Sequence, residues 1–166
     1  MKIYYASSIR GVQSIEKSYF DDIIVELLLH HGVVLGGSIV NGGFNPFGEM
    51  NLSEKEIHDR EVNWIKDSDA VIAEVSHPSL GVGYIIGRAM EYNKKVLCIY
   101  KQTDKPLSKM IIGNINLKLL SYNSPEDIAS IIVDYLRTIK IKVNHAPTIA
   151  EVNKSAFHDL IVGKRH

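Results

Sequence analysis

An unbroken apolar run, Ala70-Val71-Ile72-Ala73-Glu74-Val75, leads within a few residues into Pro78-Ser79-Leu80-Gly81-Val82-Gly83-Tyr84-Ile85-Ile86-Gly87-Arg88-Ala89. Apolar residues at consecutive rather than alternate positions mark a strand buried on both faces, as in parallel sheets. The segment after it predicts a small-residue turn over Ser76 to Gly83, then a helix ending near Asn93-Lys94-Lys95. A strand, a turn and a helix start in that order gather free backbone N–H groups and the positive end of a helix dipole. An α/β protein holds an anion, usually a phosphate, at such a point. Gly81 and Gly83 would serve equally in a plain tight turn, so a second turn of the same kind is needed to favour the anion.

That second turn follows the first strand. Lys2 to Ala6 reads as a strand, Ser7-Ser8-Ile9-Arg10-Gly11 as a polar turn, and Ser14 as the start of a helix to about His31. Within the helix Ile15, Tyr19, Phe20, Ile23, Ile24 and Leu27 recur at helical spacing, and Gly32 is the expected stop. Val33-Val34-Leu35 predicts a second strand. The Gly- and Asn-rich stretch 36–52 is longer than an ordinary αβ connection, and such loops are commonly functional.

Ser53-Glu54-Lys55-Glu56 is a capping box opening a helix to about Lys66. Ala70 to Val75, Val96 to Tyr100 and Lys118 to Ser121 predict three more strands, with a short helix over Pro106 to Ile112. Ser124-Pro125-Glu126-Asp127 caps a last helix with Ile128, Ile131, Ile132, Tyr135 and Leu136 on its apolar side. Strands alternating with helices imply a five-stranded parallel sheet with helices on both faces, a doubly wound flavodoxin- or Rossmann-like α/β fold. Ligands of such sheets sit beyond the carboxyl ends of the strands at the switch point, where both turns should meet. Residues 1–140 are expected to form this domain and 141–166 a peripheral tail.

Composition excludes several classes. The chain of 166 residues carries 19 basic and 19 acidic side chains, so no net field gathers nucleic acid or an anionic membrane. Its one cysteine, Cys98, stands in the run Val96 to Tyr100 as a buried strand residue, which rules out a disulfide framework. No apolar run approaches ~18 residues, and a cytoplasmic setting is expected. His30, His31, His58 and His77 show no metal-ligand spacing, and no cofactor is expected; a G-x-G-x-x-G after the first strand is lacking.

Four side chains stand out for chemistry. Arg10 presents a fork able to grip a phosphate beside the donors of Ser8, although a surface arginine in a polar loop fits equally well. Glu61 falls inside the apolar stripe of Ile57, Trp64 and Ile65, and an inward carboxylate either finds partners or has its pKa raised. Tyr4 and Tyr5 alternate across the first strand, so one of them faces each side of the sheet. His58 and Asp59, adjacent on a helix, are expected to point apart as solvated groups.

Taken together, Tyr4, Ser8-Ile9-Arg10-Gly11, Ile57-His58 through Trp64, Ala73-Glu74-Val75, Pro78 to Tyr84, Gly87-Arg88-Ala89, Asn93-Lys94, Leu107-Ser108 and Met110-Ile111 resemble a known family. This is the 2′-deoxynucleoside 5′-phosphate N-hydrolases, relatives of the nucleoside 2-deoxyribosyltransferases. The resemblance covers about residues 2–137 and is most specific through Ser79 to Ala89. It implies a homodimer that hydrolyses the N-glycosidic bond of deoxynucleoside 5′-monophosphates. It also implies a phosphate held by the first turn (Ser7, Ser8, Ile9, Arg10, Gly11), by Ser79 with Gly81 at the helix start, and by Ser108 from the neighbouring subunit.

The same resemblance implies a glutamate nucleophile where this chain has Ile85, an aspartate where it has Glu61, and a histidine near Ser38. Isoleucine can neither attack the anomeric carbon nor carry a proton. The expected activity is therefore impaired or altered hydrolysis, with Glu61 as general base and Tyr4 positioning either the sugar or the carboxylate. The alternative is a catalytically inactive nucleotide-binding or regulatory protein. A deoxyribosyl transferase ranks lower because it also needs that glutamate, and a flavin or dinucleotide oxidoreductase ranks last.

Overall fold

The computed structural model describes residues 1–9, 15–37, 40, 51–103 and 106–139. Its elements in chain order are β1 (Lys2–Ala6), α1 (Ile15–Leu29), β2 (Val33–Leu35), α2 (Glu54–Asp67), β3 (Ala70–Glu74), α3 (Leu80–Glu91), β4 (Lys95–Lys101), α4 (Lys109–Ile112), β5 (Lys118–Tyr122) and α5 (Pro125–Thr138). All five strands pair in parallel in the order β2-β1-β3-β4-β5. The expected doubly wound sheet is the observed one, and its order reverses between β1 and β3, which places the switch point there.

Each strand's alternation divides the interior into two layers. Ile3, Tyr5, Ile72, Leu97 and Ile99 face α1 and α5, where Phe20, Ile24, Leu27, Ile128 and Ile132 cover them. Tyr4, Ala6, Val71, Ala73, Val96 and Cys98 face α2 and α3, against Ile65, Val82, Ile86 and Ala89. Tyr4 and Tyr5 thus stand on opposite faces, as the period of two requires. Both are almost wholly buried.

Local signals set the element boundaries. Ser53 and Ser124 cap α2 and α5 through capping boxes with Glu56 and Asp127, and Pro125 occupies the first turn of α5. After α1, Gly32 turns the chain into β2 with φ 158° and approaches so closely that a Cβ there would lie 2.2 Å from the Met1 carbonyl oxygen. Only glycine fits that crossing. The turn expected over Ser76 to Gly83 is shorter than the sequence suggests. Gly81 and Gly83 lie inside the first turn of α3, and Ser79 is its N-cap. Glycine's low helix propensity is overridden here by the cap and by the packing of Val82 and Ile86.

Arg10, Gly11, Ser38, most of the 36–52 loop and the tail 141–166 lie outside the described residues.

Candidate active site

β1 and α2 bring one cluster together. The Tyr4 hydroxyl donates to Oε2 of Glu61, and Arg60 Nη2 donates to Oε1 at 2.6 Å. Glu61 therefore finds partners on the inward side of α2, with its side chain 18% exposed. Burial, and then the Glu61 charge, hold the Tyr4 hydroxyl protonated far above the ordinary tyrosine range. The Arg60 guanidinium lies over the Trp64 ring, 4.5 Å from its centroid, so cation–π attraction and the carboxylate fix its plane.

Ile85 is partly buried on α3 and packs against the same layer that contains Tyr4. The wall it supplies is apolar. One residue earlier, Tyr84 bridges to α2: its hydroxyl is hydrogen-bonded to His58 Nε2 at 2.8 Å, with the rings 5.8 Å apart. The expectation that His58 and Asp59 point apart is corrected here. His58 Nδ1 lies 3.1 Å from Asp59 Oδ1. Neighbours on a helix diverge at Cβ, but the imidazole turned toward Tyr84 leaves its other nitrogen within reach of the short carboxylate.

Of the residues expected to grip an anion, Ser7 and Ser8 are buried at the end of β1, and Ile9 is half-buried beside them. Ser79 is half-buried, and its Oγ accepts from the Val82 N–H at 3.3 Å, which leaves its own O–H to donate elsewhere. The first amides of α3, including that of Gly81, belong to the turn whose N–H groups no helix can satisfy internally. Ser108 precedes α4, is exposed, and makes no capping bond with its side chain.

Sequence reasoning missed Arg60. The i, i+4 spacing of Arg60 and Trp64, next to the inward Glu61, was the signal available for it. It also missed Lys17, whose ammonium donates to Ser7 Oγ at 2.8 Å and forms an ion pair with Asp21. Among the described residues no three His, Cys, Asp or Glu side chains gather as a metal site, and no helix is long and apolar enough to cross a membrane.

A five-stranded parallel sheet in the order β2-β1-β3-β4-β5, with helices on both faces, defines the class: a doubly wound α/β protein. The family model described as nucleoside 2-deoxyribosyltransferase matches residues 3–138, and the chain belongs to that family. A protein of Danio rerio named 5-hydroxymethyl-dUMP N-hydrolase is 37% identical over 142 residues, which span 84% of this chain and 98% of its own. A protein of Tetraodon nigroviridis with the same name is 40% identical over 118 residues, 70% of this chain and 82% of its own. The solved structure of Clostridium botulinum CMP N-glycosidase, BcmB, superposes with a TM-score of 0.57 at 20% identity, over 81% of this chain and 99% of that one. This last likeness bears on the fold alone.

Proposed function

We propose that this protein is a nucleotide N-glycosidase that hydrolyses the N-glycosidic bond of 2′-deoxynucleoside 5′-monophosphates, giving free base and deoxyribose 5-phosphate. The observation that carries this reading is the Tyr4–Glu61–Arg60 cluster between β1 and α2, in a fold whose α3 starts on a Ser79 cap. Close relatives named 5-hydroxymethyl-dUMP N-hydrolase support the substrate class.

In this reading the phosphate is held by Ser7, Ser8, Ile9, Arg10 and Gly11 of the first turn and by Ser79 and the Gly81 amide of the second. Glu61 takes a proton from water as the water oxygen bonds to the anomeric carbon. In that same step the C–N bond breaks, and the base leaves with the bonding pair and gains a proton that Glu61, now a carboxylic acid, or solvent returns. Tyr4 and Arg60 hold the carboxylate in line, so the positioning is established before substrate arrives. With Ile85 on the wall there is no covalent intermediate, and the displacement is a single step at reduced rate.

A second copy completes the site. Leu80, Met110 and Ile115 are 97%, 83% and 95% exposed on α3, α4 and the turn after it, and Tyr84 on α3 is half-exposed. Asn114, after α4, donates to Met90 Sδ near the end of α3 at 3.3 Å, so α4 lies alongside α3. Apolar exposure of this kind marks an association face. Covering it with a twin subunit would bring the partner's Ser108 toward the phosphate.

Ile85 itself favours a second reading, a nucleotide binder without turnover. Measuring base release and nucleotide affinity on the same preparation separates the two: release that depends on Glu61 supports hydrolysis, and tight binding without release supports the binder.

A further inference from the structure

On the sheet face opposite Glu61 runs a polar chain that ends on Ser7 and whose other members have no part in the reaction above. Asp21 on α1 is 8% exposed and accepts from the Tyr5 hydroxyl at 2.6 Å. It also pairs with Lys17, one helical turn earlier, whose ammonium donates to Ser7 Oγ at 2.8 Å. The Lys17 and Asp21 side chains are 10% and 11% exposed. Tyr5, Asp21, Lys17 and Ser7 thus form an unbroken sequence of hydrogen bonds from the middle of the sheet to the end of β1.

A buried ion pair contributes little net stability, because desolvating two charges offsets most of their attraction. What this one supplies is direction. A lysine side chain has free rotamers, and Asp21 removes that freedom by fixing the ammonium against Ser7. The tyrosine fixes Asp21 in turn. Across a cavity of about 220 Å³ lined by Lys17, Asp21, Glu74, Ser76, Lys101 and Tyr122, the second turn has a matching support. Glu74 accepts from the Ser76 N–H at 3.1 Å and from Tyr122 at 3.3 Å, and Ser76 Oγ accepts from the Lys101 N–H at 2.7 Å.

We infer that Lys17, held by Asp21, is a positioning residue for phosphate recognition: it locks Ser7 and delivers a positive charge to the back of the first turn. The inference rests on the reading that this turn holds the substrate's phosphate. Its signature is selective. Losing Lys17 weakens ligands that carry the phosphate and leaves those without it unchanged.

The test compares 5-hydroxymethyl-dUMP with its unphosphorylated nucleoside by calorimetric titration of the parent, Lys17→Met/Asp21→Asn and Lys17→Arg. Removing both charges avoids stranding a buried carboxylate, and asparagine still accepts from Tyr5. The expected result is a drop of about tenfold or more in the nucleotide-to-nucleoside affinity ratio of the double variant, largely returned in Lys17→Arg. Asp21→Asn alone should give a smaller drop in the same ratio, which keeps the inference testable if the double variant does not fold. A folded variant that keeps the parent's ratio overturns the inference while the functional reading stands. A parent that shows no preference for the nucleotide overturns both.

Discussion

The Tyr4 hydroxyl donates to Oε2 of Glu61 across the joint between β1 and α2, linking residues 57 positions apart. One oxygen of the carboxylate is thereby tied to the rigid sheet, while Arg60 holds the other. Tyr4→Phe removes that tie and leaves a partly buried acceptor short of one donor. The expected cost is about 1 kcal/mol of stability, with kcat falling about tenfold or more and KM little changed. Denaturant melts and steady-state kinetics check both; an unchanged kcat would show that Tyr4 only packs.

The exposed apolar face predicts association. The parent should sediment as a dimer, and Leu80→Glu with Met110→Glu should sediment as a monomer, since charge at positions 97% and 83% exposed does little to the isolated fold. Monomers should also bind nucleotide more weakly, because the partner's Ser108 is lost. A monomeric parent in sedimentation velocity would contradict the arrangement.

Cys98 sits at the centre of β4, and burial pushes its thiol up to about 11. A thiolate is the reactive form, so the native protein should resist a chromogenic disulfide reagent near neutral pH. One equivalent should react once guanidinium is added. Stoichiometric labelling of the native protein would mean that β4 opens far more often than a buried central strand should.

Glu74 provides a pH test. Burial raises its carboxyl above the ordinary value of 4.5, outweighing the bonds from Ser76 that favour the charged form. The folded state thus binds this proton more tightly than the unfolded chain. Stability from Glu74 is fully present below about 4.5 and is lost as pH rises through the raised folded value. Glu74→Gln cannot ionise, so its melting temperature relative to the parent should climb between about pH 4 and about pH 8. A flat difference across that range would show that Glu74 stays charged at no cost.

These residues also show where the sequence was informative. The sheet was legible because Ala70 to Val75 and Val96 to Tyr100 are apolar at consecutive positions, and a strand of that kind has to be covered on both faces. Glu61 was legible as an interruption in an apolar stripe, and Ser53 and Ser124 as caps. The helical state of Gly81 and Gly83 was not, because packing against the sheet overrode their local preference. Nor was the use of Lys17. Its i, i+4 acid at Asp21 suggests an ordinary surface pair, and only the return of β1 beside α1 brings Ser7 to the ammonium. His58 was misread for a related reason: its ring is oriented by Tyr84, 26 residues away.

Hydrolysis in this cleft depends on one working carboxylate, Glu61, beside a wall that Ile85 makes apolar. Base release from 5-hydroxymethyl-dUMP by the parent, Glu61→Gln and Ile85→Glu tests it most directly. The expected result is slow release by the parent, none from Glu61→Gln, and a gain of about a hundredfold or more from Ile85→Glu. A parent that binds the nucleotide yet releases no base, while Ile85→Glu does, would contradict it.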